Sequence, residues 1–307
     1  MEAAVRRVTM RKAGLTTLKM LGVVALAASV VSVWPGCKDG SAGGAGSNVG
    51  QRTVNHKSGG IAALLAAPGV TARAAMRNPT TSRLWRRQLQ YNAATQSTYP
   101  PADSKTVVAA AYGKNSLYIA IINCGPNPWY LPGAMPSVLW QRDCDEIWLD
   151  TSRRQNGTNF YEITIAPNGQ VNQEWHRTST PPAPNPDGTV NFLQPYSLIP
   201  WKAKGLEVKA SHGIFHGRPT WNIVTRIPLG DLPQPLRVKP RAGMRLRANV
   251  LRYLWRPGSS PGHRRLVQYN LFPVPLESQA FAPYCMGRLI LATSLKSDLT
   301  MAQPAGK

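Results

Sequence analysis

Acidic side chains are the scarce ingredient of this sequence: 14 Asp and Glu stand against 36 Lys and Arg among 307 residues. Histidine, at five residues, and cysteine, at four, leave little room for a multi-metal enzyme. The chain lacks a Gly-rich phosphate loop, a serine elbow and a helical His metal pair, so those enzyme classes are excluded. No internal repeat is present, which argues against a propeller or solenoid. Beyond residue 100 no helical pattern of about 12 residues or more appears. The apolar run Leu21–Val33 is too short to cross a bilayer comfortably.

What is present points to a packed, turn-rich β protein. Hydrophobic residues make up 43% and charged residues only 16%, so a core is affordable and wholesale disorder is not expected. Gly 26 and Pro 27 suit many short strands joined by turns. The length allows one large β domain or two ordinary ones. A net charge of +22 invites a nucleic-acid reading, which depends on where the charges sit.

Residues 1–37 read as an export signal of lipoprotein type. Arg6, Arg7, Arg11, Lys12 and Lys19 form a positive start, Leu21–Val33 forms the apolar stretch, and Gly36 precedes Cys37, the expected lipidation site. An uncleaved anchor is the alternative. Removing this segment leaves 31 basic against 13 acidic side chains, so the body keeps a charge of +18. Residues 38–69 are Gly/Ser-rich at first and read as a flexible linker. The Ala-rich stretch 61–76 suits a short helix. A β domain is expected over 70–295, and 296–307 reads as a tail. The predicted location is extracytoplasmic, with membrane attachment through the lipid. That location argues against nucleic acid as a partner, and the arginines are dispersed. Acidic polysaccharide or an anionic envelope polymer fits them better.

Short strands are expected at Thr106–Tyr112 and Leu117–Asn123, which form a hairpin, then at Asp145–Asp150, Asn159–Ala166 and Val171–His176. Leu206–Phe215, Thr220–Ile227, Met244–Leu254 and Leu289–Thr293 continue the series. The fold class is all-β, an antiparallel β-sandwich of jelly-roll or Ig-like type.

Six of the 14 carboxylates crowd into residues 143–174: Asp143, Asp145, Glu146, Asp150, Glu162 and Glu174. Trp129, Tyr130, Trp140, Trp148, Tyr161 and Trp175 share the region. Indole faces beside carboxylates suit a sugar ring, whose axial C–H groups pack on the aromatic while its hydroxyls need acceptors and donors. Strand alternation puts Ile147 and Leu149 on one face and Glu146 and Trp148 on the other. Asp143 with Glu146, or Glu162 with Glu174, could be imagined as glycosidase pairs.

The segment Leu139–Asp150 (LWQRDCDEIWLD) resembles the Trp-x-x-Asp-x-x-Glu strand of family 9 carbohydrate-binding modules and their wider DOMON-like relatives. The hairpin TVVAAAYGKNSLYIAI, NFYEITIAPNGQVNQEW, WNIVTRIPLGDL, MRLRANVLRY and FAPYCMGRLIL resemble further segments of that family, in its order. The resemblance implies a β-sandwich that binds sugar between two aromatic side chains and does no chemistry. It implies Trp140 as the first stacking aromatic, Glu146 as a carboxylate bonding sugar hydroxyls, and Phe281 near the second aromatic. Glu162 stands where sugar-binding members place a basic residue. Trp148 and Asp143 complete the expected ligand site, Trp148 as a second platform or as sheet packing. Some members hold calcium, for which Asp145 and Asp150, with Asp143, are the candidates; no other cofactor is expected. Outside the cytoplasm a disulfide is favoured, with Cys124–Cys144 first and Cys144–Cys285 second. Two alternatives stay open. One is a haem electron-transfer module of the same superfold, using Met135, Met244 or Met286. The other is a structural envelope lipoprotein whose sugar site has decayed.

Overall fold

The protein is described by a computed structural model covering residues 63–85, 96–97, 106–125, 128–130, 133, 136–155, 158–179, 197–257, 264–272 and 286–293. All of these belong to one compact unit, His56–Lys307. Its strands are β1 (Ala63–Ala67), β2 (Gln96–Ser97), β3 (Thr106–Tyr112), β4 (Ser116–Cys124), β5 (Cys144–Asp150), β6 (Asn159–Ile165) and β7 (Val171–Arg177). They continue with β8 (Ser197–Pro200), β9 (Glu207–Phe215), β10 (Arg218–Pro228), β11 (Arg245–Pro257), β12 (Arg264–Asn270) and β13 (Gly287–Leu291). A one-turn helix, α1 (Ala72–Ala75), follows β1, and a 3-10 helix at Pro136–Gln141 precedes β5.

The strands run β8-β7-β6-β5-β11-β13-β1-β3-β4-β10-β9 in one curled sheet, with β12 and β2 branching from β11. The pairings are antiparallel except that β1 lies parallel to β13 and β3. The curl makes a sandwich because the two halves of this path share one core. Ile147 and Leu149 of β5, Tyr161 and Ile163 of β6 and Val250 of β11 pack in the same cluster as Leu117, Ile119 and Ile121 of β4 and Trp221 and Ile223 of β10. The fold is therefore the all-β sandwich expected from the spacing of the short strands.

Local sequence explains the placements. β3 and β4 are buried along their whole length, which matches their near-continuous apolar runs. β9 lies at the sheet edge and alternates exposed with half-buried residues, as a strand with one wet face must. Gly287 opens β13 because nothing larger fits: a Cβ there would fall 2.1 Å from the ring of Phe272.

Three expectations are corrected. The linker over 38–69 ends before Ala63, because β1 inserts between β13 and β3 with Leu64 and Ala66 in the core. Its five residues, ALLAA, carry no β-branched side chain, so the stretch reads as helix, and only α1 keeps that expectation. Cys124 and Cys144 are not joined: both are buried thiols. Cys124 ends β4, whose neighbours are β3 and β10, whereas Cys144 opens β5, whose neighbours are β6 and β11. A bridge would need β4 and β5 to be neighbours in the sheet, and they are not. Cys285, Cys37 and the 296–307 tail lie outside the described residues. β2, β8 and β12 were not expected; β12 opens on two arginines and lies just beyond a Pro/Gly stretch.

Candidate functional site

Period-2 alternation sorts β5 into two faces. Ile147 and Leu149 enter the main core. Glu146 and Trp148 sit on the opposite face, where the Trp148 indole N–H donates to Glu146 Oε2 at 3.3 Å. Trp148 is fully buried in a second cluster with Phe160, Leu251 and Met286, its ring 5.6 Å from that of Phe160. It offers no open face, so the packing alternative holds for Trp148 and a second platform is ruled out by its burial.

Trp140 differs. It stands near the end of the 3-10 helix and is 50% exposed. Its carbonyl accepts the indole N–H of Trp255 at 3.3 Å. Asp143, itself buried, holds this corner together. One carboxylate oxygen accepts the backbone N–H of Trp129 at 2.7 Å and the other accepts that of Trp255 at 2.6 Å. The Asp143 backbone N–H returns a bond to the Trp129 carbonyl at 2.9 Å. Burial raises the Asp143 carboxyl above its usual range, and these two backbone donors pull it back down. The Arg142 and Arg264 guanidiniums lie over the Trp129 ring at 4.2 and 3.9 Å, which leaves Trp140 as the open aromatic of the group. Trp255 was not foreseen, because only its pairing to Asp143 reveals it.

Glu146 is buried and pushed well above the usual carboxylate range. Burial is the main cause, and the neighbouring Glu162 charge adds to it, while bonds from Tyr253 and Trp148 oppose it. Glu162 is also buried, facing Trp148 across β5–β6 and Glu174 across β6–β7. His176 Nε2 lies 2.8 Å from Glu162 Oε2 and 3.6 Å from Glu174 Oε2. Closing the hairpin at Pro167-Asn168-Gly169 sets Glu162 opposite Glu174 and brings His176 alongside, a partner that the pairing of the two carboxylates did not include.

The calcium candidates are not brought together. Asp145 points to the core side, where Asn123 donates to its Oδ2 at 2.8 Å. Thr106 donates to Asn123 at 2.9 Å, and Arg252 donates to Thr106 at 3.1 Å and to the Cys124 carbonyl at 3.0 Å. This buried network ties β5 and β11 to β3 and β4. Asp150 lies at the other end of β5, on the opposite face, and accepts the Ser152 N–H and hydroxyl at 2.9 and 2.6 Å. Five residue steps along the strand separate the two by about 16 Å, so the pair does not fit one calcium ion. Met244 packs against the main core and Met286 within the Trp148 cluster; Met135 and Phe281 lie outside the described residues. At the Asp150 end, a groove of about 1440 Å³ is lined by Arg153, Arg154, Arg237, Lys239, Arg241 and Arg245 among others.

The class defined by this architecture is an all-β sandwich with an aromatic corner at one end. No protein-family profile and no curated protein sequence matches the chain. Among solved structures, a Bacteroides uniformis protein assigned as carbohydrate-binding is similar at 12% identity and TM-score 0.53, covering 75% of this chain and 99% of its own. A family 9 carbohydrate-binding module of Caldicellulosiruptor kristjanssonii in complex with cellotriose is similar at 12% identity and TM-score 0.48, over 76% of this chain and 95% of its own. A family 9 carbohydrate-binding module of Caldicellulosiruptor kristjanssonii in complex with glucose is similar at 13% identity and TM-score 0.47, over 76% of this chain and 97% of its own. Identities this low speak to the fold alone.

Proposed function

We propose that this domain binds carbohydrate without performing chemistry on it, in a protein exported by residues 1–37 and anchored to a membrane through lipid on Cys37. The observation that carries the reading is Trp140: a half-exposed indole on a short helix whose surroundings are pinned by a buried carboxylate. A flat exposed aromatic on a rigid support is what a sugar face needs, because ordering the platform in advance lowers the entropic cost of binding. The nearby Arg142 and Arg264 favour an acidic saccharide. Phe281 remains the candidate for the second aromatic. Glu146 and Glu162 are buried and do not face a sugar. Glycan-array profiling of the full-length chain, with neutral and uronic-acid saccharides, tests binding; an array without signal defeats it. Metabolic labelling with a fatty acid, lost in Cys37→Ala, tests the anchor.

A second reading is favoured by the basic groove: a partner-binding envelope lipoprotein that holds an anionic polymer there. Binding that is strongly salt-dependent and unchanged by Trp140→Ala supports this reading over the first.

A further inference from the structure

We propose that Glu162, Glu174 and His176 form a binding site for one divalent transition-metal ion, zinc being the best match. The inference does not rest on carbohydrate binding.

Three features of the geometry carry it. The first is convergence. Glu162 Oε2, Glu174 Oε2 and His176 Nε2 lie within 4.8 Å of one another, with His176 Nε2 2.8 and 3.6 Å from the two oxygens. Ligand atoms about 2.0–2.2 Å from a tetrahedral zinc stand roughly 3.4 Å apart, so the observed separations bracket those of a filled site. The second is orientation. The other oxygen of each carboxylate is already held: Thr164 donates to Glu162 Oε1 at 3.1 Å and Asn172 to Glu174 Oε1 at 2.9 Å. Those bonds turn both Oε2 atoms towards the imidazole, as outer-shell partners do at metal centres. The His176 ring is fixed by stacking on Phe160, centroids 4.2 Å apart and 13° from parallel.

The third is a surplus of negative charge. Glu162 is only 6% exposed, and the partner of its Oε2 is the single imidazole of His176, at 2.8 Å. Glu146 adds a further buried carboxylate, on which the Glu162 charge acts. Among the described residues no Arg or Lys pairs with Glu146, Glu162 or Glu174, in a chain that holds 36 such side chains. Buried carboxylates need a paired cation or a metal. An imidazole with two carboxylates is a donor set for zinc and its neighbours more than for calcium, which takes oxygen ligands. The Glu174 side chain, 25% exposed, gives the entry path. Three protein ligands leave a fourth position for water or a ligand hydroxyl.

The test uses the full-length chain stripped with chelator and titrated with zinc sulfate by calorimetry. The same titration is run on Glu174→Gln and His176→Gln, with circular dichroism to confirm their folding. Glu174→Gln touches the most exposed ligand and is the variant least burdened by folding. The expected result is one zinc per chain, a raised unfolding midpoint, and affinity reduced at least tenfold in Glu174→Gln and further in His176→Gln. Cobalt in place of zinc should give visible absorption of a tetrahedral centre in the wild type alone. No zinc binding by the wild type overturns the proposal, as does zinc binding of equal affinity in folded variants. An unfolding midpoint indifferent to zinc and chelator also overturns it, and leaves the three side chains as an ion-pair cluster.

Discussion

Asp143 accepts the backbone N–H of Trp255 at 2.6 Å, across a sequence separation of 112 residues. The same carboxylate accepts the N–H of Trp129. One acidic side chain thus fixes two backbone segments on either side of the exposed Trp140. Asp143→Ala orphans both half-buried donors, at a cost of about 2–4 kcal/mol. Asp143→Asn keeps one acceptor and costs less. Urea unfolding of the two variants checks the order, and tryptophan fluorescence should show a looser environment for Asp143→Ala alone.

Trp140 and Trp148 are eight positions apart, yet substitutions at them should have opposite profiles. Trp148→Ala empties a space among Phe160, Leu251 and Met286, a change that costs about 3–5 kcal/mol in a packed core. Trp140→Ala removes a half-exposed ring and should shift stability by less than about 1 kcal/mol. Thermal unfolding of both proteins separates the packing tryptophan from the presented one.

Asp145 gives the domain a pH dependence of defined sign. Its carboxyl is pushed up to about 7 from 3.8 by burial, against the pull of Arg252 and Asn123. A folded-state value above the unfolded one means the native state holds the proton more tightly. The stability this group contributes is present in full below about pH 4 and is lost as pH rises to about 7. Glu146, also raised, acts in the same direction. Unfolding midpoints with chelator present should fall from pH 4 to pH 7, and Asp145→Asn should flatten that slope.

Cys144 should be unreactive in the native protein. Burial pushes its thiol well above the usual range, and the charges of Glu146, Asp145 and Asp143 add to the shift. Thiolate is the reacting species, so alkylation should reach Cys144 only after unfolding. Peptide mapping should find no Cys124–Cys144 bridge with or without reductant.

The sandwich was legible in the sequence because its strands announce themselves. TVVAAAY and LYIAII are continuous apolar runs around a Gly-Lys-Asn turn, and DEIWLD alternates. β1 was illegible for the opposite reason: ALLAA has helical composition, and only the open seam between β13 and β3 makes it a strand. The same logic divides the site. Trp140 could be marked from the motif around it, but whether Trp148 packs or presents its face could not be read from alternation, since the second face of β5 is also buried. The Glu162–Glu174–His176 grouping needed the hairpin register. The Cys124–Cys144 expectation failed because neighbouring segments in sequence lie on different parts of the sheet path.

The most direct measurement of the central claim is saccharide affinity of the wild type and Trp140→Ala side by side, using the best array ligand. Binding should fall by about tenfold or more in the variant, a loss of about 1.4 kcal/mol, while the unfolding midpoint stays within a degree or two of the wild type. Equal affinity in a folded Trp140→Ala protein, or no saccharide bound by the wild type, would contradict it.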